Sequence, residues 1–227
     1  MSNENEQASQ PDTGNRIVFV ILGAALILGI IAAVVGLVLS NQNTTPEAEA
    51  DTEYAGTVFD PPVPVLDFSL PSNSGDDLSL SELSGEGWTL MFFGYTHCPD
   101  FCPTTMADFR QVKRILGDDA ESVNFLFVSV DGERDTPELL NRFVRRFDPT
   151  FIGMSGDPET LETIQPDYGL FYQLRKDLAT DERFYVVDHS TRSYLIGPDL
   201  HMHASYAYNT DPIIMAESIQ AQIQAES

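Results

Sequence analysis

Hydrophobic and polar positions divide this chain into three zones. Residues 17–39, IVFVILGAALILGIIAAVVGLVL, contain no charged side chain; residues 40–60, SNQNTTPEAEADTEYAGTVFD, are polar, acidic and aperiodic; from residue 61 onward short apolar runs alternate with amphipathic stretches. At about 1.5 Å per residue, the first zone is long enough as a helix to cross the roughly 30 Å hydrocarbon layer of a bilayer. It is longer than the apolar region of a secretory signal, about 7 to 15 residues, and no small-x-small cleavage site follows, so an uncleaved anchor is expected. Arg16 precedes the run, and no Lys or Arg follows Leu39 until Arg110. The positive-inside rule then puts residues 1–16 in the cytoplasm and everything after the anchor on the outer side. The second zone reads as a flexible acidic linker.

The third zone, 61–227, reads as one folded domain. Apolar runs predict strands at 88–93 (WTLMFF), 123–130 (VNFLFVSV), 150–154 (TFIGM), 184–187 (FYVV) and 193–197 (SYLIG), with a weaker one at 203–208. Helical spacing links Met106, Phe109, Val112 and Leu116 in a helix opened by Pro103. It also links Leu140, Phe143, Val144 and Phe147 behind Thr136 as N-cap and Pro137 at N1. A third helix opens at Asp157-Pro158, and a last one carries Met215, Ile219 and Ile223 on one stripe. This alternation predicts an α/β domain with parallel strands first and an antiparallel hairpin over 184–197, the plan of a thioredoxin-like fold.

Charge narrows the partners. The chain has 12 basic and 35 acidic side chains, net -23, and only two lysines, Lys113 and Lys176. Nucleic acid is excluded as a partner, because binding it means neutralising phosphates with Lys and Arg. A dense acidic surface that keeps the domain hydrated accounts for most of the excess.

The two cysteines, in GYTHCPDFCPTT, bring in the chemistry. Cys98 and Cys102 are each followed by proline, which disfavours helical geometry at the residue before it. A tight loop over 98–102 is expected, with Cys102 near the N-cap of the helix beginning at Pro103. The positive end of that helix would then lower both thiol pKa values. The site falls at the carboxyl end of a buried strand, where open α/β sheets place their ligands.

Three uses suit such a pair. A structural disulfide closing so short a loop gains little stability. A redox dithiol more often has the spacing C-x-x-C. Soft-metal binding needs a third ligand. His97 is a poor one, because neighbouring side chains at a strand end point to opposite faces. His189, in VVDHSTRSYLIGPD, is better placed, since the thioredoxin-like plan lays that segment beside the cysteine loop. Thioredoxin-like oxidoreductases keep a cis-proline there; residues 182–197 hold none, and Asp188-His189 occupy the place, which favours a metal over disulfide exchange. His201 and His203, on one face of DLHMHASY, are candidates for an auxiliary metal site, although two imidazoles alone are incomplete and a solvated strand explains them more simply.

GYTHCPDFCPTT, VSVDGERDTPELL and VVDHSTRSYLIGPD, in this order behind one N-terminal anchor, resemble the Sco/SenC family of copper-binding proteins over residues 55–225. The resemblance implies a thioredoxin-like domain on the outer side of a respiratory membrane, the periplasmic side in a bacterium. It implies copper, as Cu(I) or alternatively Cu(II), held by Cys98, Cys102 and His189, and two cysteines that also form a reversible disulfide. The partner implied is cytochrome c oxidase subunit II, whose binuclear copper site would receive copper or have its thiols reduced. Other copper chaperones and thioredoxin-like reductants are further partners in this reading. A metal-free thiol-disulfide reductase and a non-catalytic binding module are the competing functions. Asp131, Arg134 and Asp135 match an acidic-basic segment that would face a partner, although a strand end and helix cap explain most of it. Two departures stand out: Gly132 replaces a usual proline, and GPDLHMH lacks the glycine that often completes the turn after Asp199.

Overall fold

The computed structural model describes residues 28–31, 33–34, 56–179, 181 and 184–225. The expected anchor over 17–39 falls mostly outside the described residues; those described within it are helical, with Leu28, Ile30, Ile31 and Val34 exposed. Among the described residues no helix is long and apolar enough to cross a membrane.

The domain is built on a six-stranded sheet. Its strands are β1 (Thr57–Pro64), β4 (Trp88–Gly94), β5 (Val123–Ser129), β6 (Ile152–Ser155), β9 (Ser193–Ile196) and β10 (His201–Tyr206), in the spatial order β1-β10-β9-β4-β5-β6. Two small ribbons accompany it: β2 (Ser69–Pro71) with β3 (Asp77–Ser79), and β7 (Tyr172–Leu174) with β8 (Val187–His189). The helices are α1 (Leu80–Gly85), α2 (Phe101–Leu116), α3 (Pro137–Val144), α4 (Pro158–Tyr168) and α5 (Pro212–Ala225).

Strand β4 is buried along its whole length and lies parallel to β5, which is parallel to β6, so the parallel half is as expected. On its other side β4 pairs antiparallel with β9. The caps read from the sequence hold: Thr136 Oγ1 accepts from the Leu139 N–H, and Asp157 Oδ1 from the Thr160 N–H at 3.0 Å. Met215 and Ile219 are buried on α5, which packs against α2.

Four expectations are corrected. The hairpin over 184–197 does not form. Tyr185 and Val187 are buried while Phe184, Val186 and Asp188 are exposed, a one-sided pattern that suits a surface ribbon, and Val187–His189 pairs with Tyr172–Leu174. Ser193–Ile196 is buried throughout, which suits a central strand, and it turns at Gly197-Pro198-Asp199-Leu200 into β10. Second, the weak strand at 203–208 lies at His201–Tyr206, because that turn ends two residues earlier. Third, β1 begins at Thr57, so residues 57–60, read as linker, belong to a strand in which Thr57 and Val58 pair with Ser205 and Ala204 of β10; three prolines within it are compatible with its edge position. Fourth, α2 starts at Phe101 rather than Pro103. Pro103 falls in the first turn, where its missing N–H leaves no helix bond unmade, and Thr104 Oγ1 and Thr105 Oγ1 donate back to the carbonyls of Asp100 and Phe101.

Candidate metal centre

The carboxyl end of β4 delivers the chain into the cysteine loop. Cys98 N–H donates to the Tyr95 carbonyl at 3.2 Å, and the Cys102 N–H, in the first turn of α2, points at Cys98 Sγ at 3.5 Å. Both cysteines are free thiols. Cys102 is fully buried and Cys98 is 8% exposed. Gly94 makes this possible: a Cβ at that position would stand 2.8 Å from Cys102 Sγ.

His189 arrives from the other side, at the end of β8. Its Nε2 lies 3.6 Å from Cys102 Sγ across eighty-seven residues of sequence. Its Nδ1 is 2.7 Å from the Ser190 carbonyl, which can only accept, so Nδ1 carries the proton and Nε2 keeps its lone pair toward the sulfurs. The edges of Phe92 and Tyr95 hold the ring, with centroids 5.9 and 5.7 Å away. Cys98 Sγ, Cys102 Sγ and a His189 nitrogen all lie within 4.8 Å of one another, the only such group of metal-ligating atoms among the described residues.

The two thiols differ, where the sequence led us to expect both lowered. A hydrogen bond from Cys102 brings the Cys98 pKa down to about 3 against the opposing effect of burial, helped by the Cys102 and Asp100 backbone N–H groups. Burial, together with the neighbouring Cys98, pushes the Cys102 thiol up. The pair is therefore a thiolate beside a protonated thiol. A pocket of about 350 Å³, lined in part by Tyr95, Cys98, Phe101, Phe171, Val186 and His189, opens onto it. Cys98 and His189 can be reached through this pocket; Cys102 stands behind them.

The donor set is two sulfurs and one imidazole with no carboxylate among them, which fits a soft, low-coordinate cation. His97 is outside it: half exposed, with Nδ1 3.2 Å from Thr96 Oγ1 and 3.5 Å from Asp135 Oδ1. His201 and His203 lie beyond the other end of β4, where His203 packs its ring 4.7 Å from Trp88. Each turns to a different oxygen of Asp199, His201 Nδ1 to Oδ2 at 3.1 Å and His203 Nε2 to Oδ1 at 3.2 Å. Burial raises the Asp199 carboxyl, but its contacts with His203 and His201 outweigh that and leave it below its ordinary value. Sequence reasoning missed the supports of the site: Gly94, the rings of Phe92 and Tyr95, and the Ser190 carbonyl. Of these only Gly94, directly behind an apolar strand and ahead of the cysteine loop, carries a signal in the sequence.

A family model described as SCO1/SenC matches residues 61–224. The Arabidopsis thaliana protein SCO1 homolog 1, mitochondrial, is 33% identical over 161 residues, covering 69% of this chain and 46% of that one. The chain spans about half the length of the curated relatives it matches first. Among solved structures, Arabidopsis thaliana ScoI with copper bound superposes with a TM-score of 0.64 at 28% identity, covering 71% of this chain and 98% of that one. Bradyrhizobium japonicum ScoI with copper bound gives 0.62 at 32% identity, covering 70% and 99%.

Proposed function

The chain belongs to the SCO1/SenC family, and on that premise we propose that it is a copper-binding assembly factor for cytochrome c oxidase. Its cargo is one Cu(I) held by Cys98, Cys102 and His189, destined for the binuclear copper site of subunit II. The observation that carries this reading is the convergence of those three donors beneath a solvent-accessible pocket. Cu(I) accepts two thiolates and one imidazole in a trigonal set, which leaves a face for an incoming thiol. The burial that keeps Cys102 protonated when the site is metal-free makes copper uptake release a proton from it. A tether formed by residues 17–39, with residues 1–16 cytoplasmic and 61–227 on the outer side, would keep the domain at the membrane that houses the oxidase.

One observation favours thiol chemistry as a second reading, the contrast between an accessible Cys98 thiolate and a buried Cys102 thiol. The Cys98 thiolate would attack a subunit II disulfide. Cys102 would then displace the second subunit II sulfur, leaving subunit II as a dithiol and this chain as the Cys98–Cys102 disulfide.

Metal analysis of the reduced chain tests the first reading. About one copper per chain is expected to survive gel filtration against a weak chelator, and Cys98→Ser, Cys102→Ser and His189→Ala are each expected to lose it. Full retention by His189→Ala removes the three-ligand site. Incubating the loaded or metal-free reduced protein with oxidised or reduced metal-free subunit II then separates copper delivery from electron delivery.

A further inference from the structure

The turn between β5 and α3, Asp131-Gly132-Glu133-Arg134-Asp135, carries charged side chains that the chemistry above does not use. Its side chains face inward. Asp131 is 1% exposed and Asp135 0%, and only Glu133 turns outward, to Lys176. A surface offered to a partner would have the opposite pattern.

Asp135 grips the cysteine loop. Its carboxylate accepts from the Thr96 N–H at 2.7 Å, from Thr96 Oγ1 at 2.5 Å and from Ser129 Oγ at 2.6 Å. Thr96 is two residues from Cys98. Asp131 and Arg134 grip the histidine segment. Arg134 Nε donates to Asp131 Oδ2 at 2.5 Å, Tyr185 OH donates to Asp131 Oδ1 at 2.7 Å, and Arg134 Nη1 donates to the Tyr185 carbonyl at 2.9 Å. The guanidinium also lies 3.5 Å from the Tyr185 ring centroid and 5.8 Å from that of Tyr95, whose edge supports His189. Tyr185 stands four residues before His189, with the buried Val187 between them.

We infer that the turn 131–135 is an internal brace between the two ligand-bearing segments, in which Thr96, Arg134 and Tyr185 act as positioning residues for the Cys98, Cys102 and His189 donors. This rests on the reading of those three as ligands. Two segments far apart in sequence meet at a site only if something fixes their separation. Buried ions are poor fold stabilisers compared with apolar side chains, but a fully hydrogen-bonded network holds one geometry. Groups that orient metal ligands commonly change affinity by 10- to 100-fold when removed.

Two mild variants test it in the full chain. Thr96→Val keeps the side-chain volume and removes one bond to Asp135; Arg134→Lys keeps a charge for Asp131 and removes the fork to Tyr185. Each is expected to load about one copper per chain, yet release Cu(I) to an excess of chelator about tenfold faster or more, with a shifted sulfur-to-copper absorption when loaded with Cu(II). A second readout needs no metal: the His189 Nδ1 proton, followed by NMR in the reduced apo protein, is expected to exchange with solvent about tenfold faster. Release, absorption and proton exchange all equal to the parent, with only the melting temperature lowered, would make the turn a fold support and overturn the proposal. A parent that binds no copper removes the ligand reading, while the proton-exchange comparison still decides whether the brace exists.

Discussion

At the scale of single residues, the centre depends on the unequal treatment of two identical side chains. Cys98 receives hydrogen bonds from Cys102 and from the Asp100 backbone N–H, so its charged form is favoured; Cys102 is enclosed at 0% exposure, so its neutral form is. The consequence for stability follows from linkage. Cys98 titrates near 3 in the folded chain and from a value of 9.0 without those interactions, so over that interval the unfolded state binds the extra proton. Its contribution is complete above the unfolded value and is lost as pH falls toward the folded one. Cys102 has the opposite shift, and its cost appears only where an unfolded thiol would ionise, above about pH 9. Unfolding free energies of the reduced, metal-free parent and of Cys98→Ser, compared between about pH 5 and about pH 8, are therefore expected to diverge, with the parent's advantage growing as pH rises. A difference that stays flat across that interval means that Cys98 is not held as a thiolate.

At the scale of elements, the centre is the place where strand β4 passes beneath the first turn of helix α2, and Gly94 sets the clearance between them. A methyl group there would meet Cys102 Sγ and Phe127 Cε2 at 2.8 Å and Phe92 Cε1 at 2.9 Å. All three neighbours belong to the core, and the two phenylalanine rings cannot retreat. Gly94→Ala is expected to destabilise the domain by about 1–3 kcal/mol, as overpacking does. By displacing the Cys102 sulfur it is also expected to weaken copper retention about tenfold or more. Chemical denaturation and copper competition on the same variant check both, and unchanged retention would show that Cys102 can shift without loss of the site. The strand, the helix and the cysteines between them were legible in the sequence because each has a local signature: an apolar run, a 3.6-residue period, paired prolines. Beyond the parallel half, the partner of each strand was not. The run FYVV reads as a core strand, yet alternate side chains are exposed and it leads into the ribbon with β7, while the hairpin at 193–206 turns through Leu200 at φ 59, a conformation that favours glycine. His189 could be selected because the plan of the fold carried it to the cysteines. The brace through Asp131, Arg134 and Tyr185 could not be, since its contacts to Tyr185 join residues more than fifty positions apart.

At the scale of the whole molecule, charge is the dominant unbalanced quantity. Beyond residue 39 there are 32 acidic and 11 basic side chains, a net charge of -21 on the part of the chain that holds the folded domain. Some carboxylates are matched: Asp148 with Lys113 at 2.8 Å, Asp188 with Arg175 at 2.9 Å, Asp131 and Glu133 within the turn. With eleven cations for thirty-two anions most cannot be, and their mutual repulsion opposes the compact state. Raising ionic strength from about 10 mM to about 1 M shortens the screening length from roughly 30 Å to roughly 3 Å, which removes most of the repulsion between carboxylates on different faces while leaving the buried Asp131–Arg134 pair little affected. The thermal midpoint is accordingly expected to rise by at least about 4 °C over that range, equivalent to about 1 kcal/mol or more for a domain of this size. Sucrose is the control, because it favours compact states by exclusion from the protein surface and screens no charge. A salt response no larger than the sucrose response means that repulsion is not what limits stability, and that the acidic surface acts through hydration alone. If salt stabilises as expected, copper retention should remain constant across the same series, because the Cys98 and Cys102 sulfurs are buried and His189 is held by short-range contacts rather than by the long-range field.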